Sequence, residues 1–144
     1  MRFWDSSALV PLCLEEPATV TARRLYDGDP EMAVWWASPV ECGSAFARLR
    51  REGVLDEDQE SAARSALESL CAFWHEVQPT AELRAQALRL LRVHELRAAD
   101  ALQLAAGIAW AGTPPDAELV TLDERLGSAA RREGFQVLPS RSAS

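Results

Sequence analysis

The chain has 144 residues, 48% of them hydrophobic and 26% charged, which suits an ordinary soluble globular protein with enough material for a core. The formal net charge is −7, so bulk attraction does not bring nucleic acid to it; either none binds, or binding is local and a metal offsets the acidity. All 15 basic residues are Arg, which excludes a P-loop lysine, a Schiff base and the lysine of receiver domains and haloacid-dehalogenase-type phosphatases.

RFWD (2–5) reads as a short apolar strand that runs into a helical pattern, SALVPLCLEE. PATVTARRLYDGD (17–29) predicts a second helix with Pro17 in its first turn. MAVWWA (32–37) predicts a strand buried on both faces, with the adjacent Trp35 and Trp36 pointing to opposite sides. SPVECGSAFARLRREG (38–53) predicts a helix with Ser38 as N-cap, Pro39 at the first position and Gly53 as the stop. A long amphipathic helix follows over 56–77, with Leu67, Leu70, Cys71 and Trp74 on one face and a short strand around Val77. Residues 80–94 and 96–111 predict a helical pair, the second apolar on every face and hence buried. ELVTL (118–122), DERLGSAARREG (123–134) and FQVLP (135–139) predict strand, helix and last strand, and SRSAS (140–144) a polar, frayed tail.

No apolar run approaches the ~20 residues that span a bilayer, and Asp5 and Pro11 break the N-terminal apolar run, so no membrane segment or signal peptide is expected. Cys13, Cys42 and Cys71 are odd in number and scattered, which fits small buried hydrophobes in a reducing cytoplasm. Alternating helices and continuously apolar strands predict an α/β fold: a three-layer α/β/α sandwich around a mostly parallel sheet of four to five strands, as one domain over 1–139.

Ligands of open parallel sheets bind at the carboxyl ends of the strands. Asp5, Glu41 and Asp123 each follow a strand, and Asp100 stands in the first turns of the apolar helix, where an unpaired buried carboxylate is costly. Each acid has a local alternative. Asp5 suits an N-cap, Ser38 to Glu41 matches an S-x-x-E capping box, and Thr121 to Glu124 matches T-x-x-E. Asp100 can meet the helix dipole or pair with Arg97. Taken together, four converging carboxylates repel unless a cation sits among them, and oxygen ligands suit Mg²⁺ or Mn²⁺. Such ions assist in-line phosphoryl displacement. His75 and His94 are isolated and lack zinc-site spacing.

FWDSSALV, SPVECGSAFARLRREG, LRAADALQLAA and LVTLDERLGSAARREGF resemble, in order, the four signature segments of PIN-domain ribonucleases, and most of all the VapC-like toxins of bacterial toxin–antitoxin pairs. The resemblance runs from Arg2 to Pro139. It implies that Asp5, Glu41, Asp100 and Asp123 form a catalytic acidic quartet binding Mg²⁺ or Mn²⁺. Ser6 would lie near the metal, Thr121 would support the Asp123 turn, and Arg97 stands where relatives also carry Arg. Gln103 departs from a common His, a change expected to alter substrate contacts more than metal binding. The family implies a cytoplasmic endoribonuclease that cleaves structured RNA to 3′-hydroxyl and 5′-phosphate ends, forms homodimers and is held by an antitoxin whose tail fills the acidic groove.

RNA then needs other contacts, for which Arg48, Arg50 and Arg51 form one set and Arg84, Arg89, Arg92 and Arg97 another, with Trp74 or Trp110 as partner-facing aromatics. Two rivals remain. One is an Asp-dependent phosphatase with Asp5 as nucleophile, against which Ser7 stands where a second Asp is wanted. The other is a PIN-like module that binds RNA or protein without cutting.

Overall fold

A computed structural model describes residues 1–140; the tail expected over 140–144 lies, but for Ser140, outside the described residues. The elements are β1 (Arg2–Trp4), α1 (Ser6–Cys13), α2 (Thr19–Gly28), β2 (Met32–Trp35), α3 (Ser38–Arg51), α4 (Glu57–Cys71), β3 (His75–Val77), α5 (Ala81–Val93), α6 (Ala98–Ala111), β4 (Glu118–Val120), α7 (Glu124–Glu133) and β5 (Gln136–Leu138). All the strands pair in parallel, in one five-stranded sheet of order β3-β2-β1-β4-β5. The α/β sandwich expected from the alternation of elements is what forms.

Side chains alternate across the strands, so each strand feeds both faces. Phe3, Ala33, Leu119 and Val137 join one core, with Leu83, Ala87 and Leu90 of α5, most of α6, and Leu126, Ala129 and Ala130 of α7. Trp4, Val34, Val120 and Leu138 join the other, with Ala8, Leu9 and Leu12 of α1, Ala22 of α2, Cys42 and Phe46 of α3, and Ala63 and Leu67 of α4. Small residues bring α6 close to the sheet: a Cβ on Gly107 would lie 3.3 Å from Phe135, 3.4 Å from Leu119 and 3.5 Å from Phe3. Among the described residues no helix is long and apolar enough to cross a membrane.

Several boundaries move from their sequence positions. α1 stops at Cys13 rather than running through Glu16, and Pro17 lies outside α2. α4 stops at Cys71, leaving room for β3. It starts on a true capping box: Asp56 accepts from the Gln59 amide at 2.8 Å, and Gln59 accepts from the Asp56 amide at 2.9 Å. Trp36 falls beyond β2 and is 50% exposed, stacked edge-on against Trp35 at 6.4 Å. The apolar helix α6 is buried from Ala101 to Ile108 except for half-buried Leu102, while Ala98 and Ala99 are exposed and Asp100 is half-buried. Thus Asp100 is not sunk in the core; it sits in the first turn, where α6 rises to the rim of the sheet.

The chain leaves β1 toward β2 and β3, then returns on the other side of β1 as β4 and β5. The order reverses between β1 and β4. Their carboxyl ends open the crevice where open α/β sheets place ligands.

Candidate active site

Asp5 follows β1 directly and caps α1, where it is only 3% exposed. Its Oδ2 takes the hydroxyl of Ser7 at 2.6 Å and that of Thr121 at 2.8 Å. Those two hydroxyls also accept the backbone N–H groups of Leu122 (2.9 Å) and Asp123 (3.1 Å). The start of α1 is thereby stitched to the turn after β4. Asp123 caps α7 by accepting from the Leu126 amide at 2.9 Å. The T-x-x-E capping box therefore does not form with Thr121 at its head: Asp123 is the cap, and Thr121 is turned to Asp5.

Glu41 lies in the first turn of α3, and the S-x-x-E box is absent there too. The N-cap is Ala37, without a side-chain bond, and fully buried Ser38 instead accepts the Gln103 amide at 2.9 Å. The same Gln103 Nε2 donates to Glu41 Oε2 at 3.0 Å. Glu41 Oε1 accepts from the Ser6 hydroxyl at 3.2 Å, and that hydroxyl lies 3.4 Å from Asp5 Oδ1. Ser6 therefore bridges two of the acids. Gln103, expected to bear on substrate contacts, is 0% exposed, and its side-chain amide meets Ser38 and Glu41 rather than the open cleft.

Asp5, Glu41, Asp100 and Asp123 line one cleft of about 380 Å³, with Ser6, Ser7, Val10, Glu16, Ala45, Arg48 and Leu49. Burial raises the carboxyl of Asp5, and the nearby Asp123 adds to it against the Ser7 and Thr121 hydrogen bonds. Burial, then Asp5 and Asp100, push Glu41 up to about 7 despite hydrogen bonds from Gln103 and Ser6. Burial, then Asp123 and Asp5, push Asp100 up to about 6 against the pull of Arg97.

Among the described residues, no three His, Cys, Asp or Glu side chains close into a ready-made metal cage. The donors nevertheless fit a hard divalent cation. All are carboxylate oxygens, they share one open cleft, and at Glu41 and Asp100 the neighbouring acids add to the upward push of burial. Mg²⁺ in particular keeps several waters and needs only one or two direct carboxylates.

Arg48, expected among the RNA-contacting arginines, lines the cleft, as do Ser7 and Glu16, which the sequence reading did not place there. Ser7 had a local signal, a hydroxyl two residues past an N-capping Asp; Glu16 had none. Of the other arginines, Arg50 pairs with Glu60 at 3.5 Å, and Arg89 is taken up by Gln86 and Glu133, so each expected set has one member engaged with an acid. Arg97 is exposed at the N-cap of α6. Trp110 packs its ring against Phe3 at 6.4 Å, and Trp74 donates to Glu76 at 3.2 Å.

The sequence profile of the PIN domain family matches residues 2–132. Ribonuclease VapC45 of Mycobacterium tuberculosis (strain CDC 1551 / Oshkosh) is 32% identical over 139 residues, covering 96% of this chain and 94% of the relative. Ribonuclease VapC49 of M. tuberculosis (strain ATCC 25618 / H37Rv) matches with the same identity and coverage. The crystal structure of M. tuberculosis VapC20, described as a sarcin-ricin loop cleaving toxin, has the same fold at a TM-score of 0.69 and 20% identity, covering 94% of this chain and 97% of that one. FitAcB from Neisseria gonorrhoeae follows at a TM-score of 0.65 and 15% identity, covering 95% and 96%. With a profile spanning most of its length and relatives alike almost end to end, the chain belongs to the PIN domain family.

Proposed function

We propose that this protein is a metal-dependent endoribonuclease, a single catalytic domain over residues 1–139, acting in the cytoplasm as the toxin of a toxin–antitoxin pair. The observation that carries the reading is the convergence of Asp5, Glu41, Asp100 and Asp123, from four separate parts of the chain, on one cleft at the point where strand order reverses. The similarity to ribonucleases named VapC supports RNA as the substrate class; a protein antitoxin and a homodimeric state belong to the same proposal, as the family resemblance implies.

The four acids would hold Mg²⁺ or Mn²⁺, which when bound lowers the pKa of a coordinated water and offsets charge on the phosphate. The chain's own residues do the rest. Ser7 and Thr121 fix Asp5 by donating to Oδ2. Ser6 spans Asp5 and Glu41 and keeps their facing oxygens apart. Arg48, exposed on the wall of the cleft, is placed to take a phosphate oxygen of a neighbouring nucleotide. In the reaction a water gives up a proton to solvent as its oxygen bonds to phosphorus, the P–O3′ bond breaks in line, and the departing 3′-oxygen takes a proton from solvent. The products carry 3′-hydroxyl and 5′-phosphate ends.

An Asp5-centred phosphatase is disfavoured by the geometry. A nucleophilic carboxylate needs an accessible oxygen, and Asp5 is 3% exposed with the Ser7 and Thr121 hydroxyls both donating to Oδ2.

The test is cleavage of a total RNA preparation with Mg²⁺, with Mn²⁺ and with EDTA, beside Asp100→Asn. Discrete fragments that need metal and vanish in the variant are expected. Cleavage that survives both EDTA and the substitution would place the activity elsewhere, and intact RNA under every condition would favour a module that only binds.

A further inference from the structure

We propose that Gln103 is a positioning residue of the acidic cleft: its buried side-chain amide, pinned on Ser38, holds the carboxylate of Glu41. The inference rests on the reading of Glu41 as one of the metal-holding acids, and it assigns the work of orienting that acid to a residue that is itself fully buried.

Gln103 lies three residues past Asp100 on α6, so the helix that carries one acid also carries the group that holds another. Its Nε2 has two N–H donors, and both are spent: one on Ser38 Oγ at 2.9 Å, one on Glu41 Oε2 at 3.0 Å. Its Oε1 is buried without a partner. Leaving a buried carbonyl oxygen unpaired is costly, so packing alone would favour Met or Leu at this site. What the amide supplies in return is two donors aimed at two acceptors. The reverse orientation would press Oε1 against a carboxylate oxygen, two acceptors face to face. The ionised Glu41 and the amide therefore orient each other. With Ser6 on Oε1, Glu41 is held at both oxygens, and a long side chain that would otherwise sample many rotamers is confined to one.

The test uses the full chain and three substitutions. Gln103→Met keeps the shape and removes the donors. Gln103→His restores a ring N–H. Glu41→Gln removes the charge that is being held. In the metal-free protein, the Gln103 side-chain amide should give two well-separated proton signals by NMR that exchange slowly with solvent and shift in Glu41→Gln. In Mn²⁺ titrations followed by electron paramagnetic resonance, Gln103→Met should weaken binding by about 10- to 100-fold, the usual effect of losing a group that orients a ligand. Gln103→His should recover most of that loss, and Gln103→Met combined with Glu41→Gln should bind no worse than Glu41→Gln alone.

The proposal is overturned if Gln103→Met binds Mn²⁺ as the unmodified protein does while Glu41→Gln does not, or if the two losses add in full. Unchanged binding in Glu41→Gln is a different failure, since it removes Glu41 from the metal site. Should Gln103→Met not fold, Gln103→Glu takes its place, retaining the shape and replacing the donor with an acceptor. It must lose affinity as well, and if it binds Mn²⁺ normally the proposal fails.

Discussion

Thr121 donates its hydroxyl proton to Oδ2 of Asp5 at 2.8 Å, joining two residues 116 positions apart. The Thr121 hydroxyl oxygen in turn accepts the Asp123 amide at 3.1 Å, so one hydroxyl orients Asp5 and shapes the turn that presents Asp123. Thr121→Val keeps the shape and deletes both bonds in a buried setting. The expected cost is about 1–3 kcal/mol of stability, readable in urea unfolding. Cleavage should fall by about 10- to 100-fold. Thr121→Ser should keep most of both. Wild-type cleavage by the valine variant would show that Ser7 alone suffices to place Asp5.

The pH dependence of the metal-free protein has a definite sign. The Glu41 carboxyl, at about 7, stands above its value of about 4.3 in an unfolded chain. Between those values the folded form keeps a proton that the unfolded form has lost. Stability therefore falls as pH rises through the window and stays lower above it. Asp100, at about 6, acts in the same direction. Thermal melts from pH 5 to pH 8 without metal should show the unmodified protein losing ground to Glu41→Gln as pH rises. Adding Mg²⁺ should reverse the trend, because the cation binds the ionised acids. Parallel curves for the two proteins would argue that Glu41 titrates as an ordinary exposed acid.

Away from the cleft, Glu133 at the end of α7 accepts from Arg89 and sits 2.6 Å from Nε2 of buried His94, tying α7 to the α5–α6 corner. Burial raises the Glu133 carboxyl, yet the hydrogen bonds from Arg89 and His94 outweigh it and hold it below the usual range. The stability this adds is present above the unfolded value of about 4.3 and is lost as pH falls through the folded value. Glu133→Gln should cost about 1 kcal/mol at neutral pH, modest for a charged hydrogen bond because the Arg89 side chain is 40% exposed and screened. The difference from the unmodified protein should vanish in acid. A gap that persists below pH 3 in denaturant titrations would mean that the packing of the side chain matters more than its charge.

Arg48 is the cation that lines the acidic cleft. Arg48→Ala should raise KM for RNA with little change in kcat, and should lower the slope of log affinity against log salt by about 1. A fall in kcat at constant KM would instead place the guanidinium on the transition state.

The acids were legible because each stands at a strand end or in the first turn of a helix, and those ends are written in short-range chemistry. A short strand such as Arg2–Trp4 terminates at the first Asp, and an Asp before a helical pattern caps it, as Asp5 and Asp123 do. The same local reasoning misread Ser38 as a cap and offered Thr121 as one beside its role in the Asp123 turn. Their hydroxyls had local and distant partners to choose between, and the distant ones won once packing had buried them. Gln103 was expected to bear on substrate contacts for the same reason: nothing within a few residues shows that it points at Ser38, 65 positions away.

Element order and the placing of the acids at strand-to-helix junctions and in first turns were thus legible in the sequence itself, since hydrophobic period, caps and stops depend on neighbours within a turn or two. Sheet order was a tertiary decision. Placing β1 between β2 and β4 brings Asp5 beside Asp123 and lets α6 carry Asp100 and Gln103 to the cleft and to Glu41. Which hydroxyl meets which carboxylate follows from that packing, because a hydrogen bond needs its partners within about 3 Å, and only the folded chain brings groups so far apart in sequence that close.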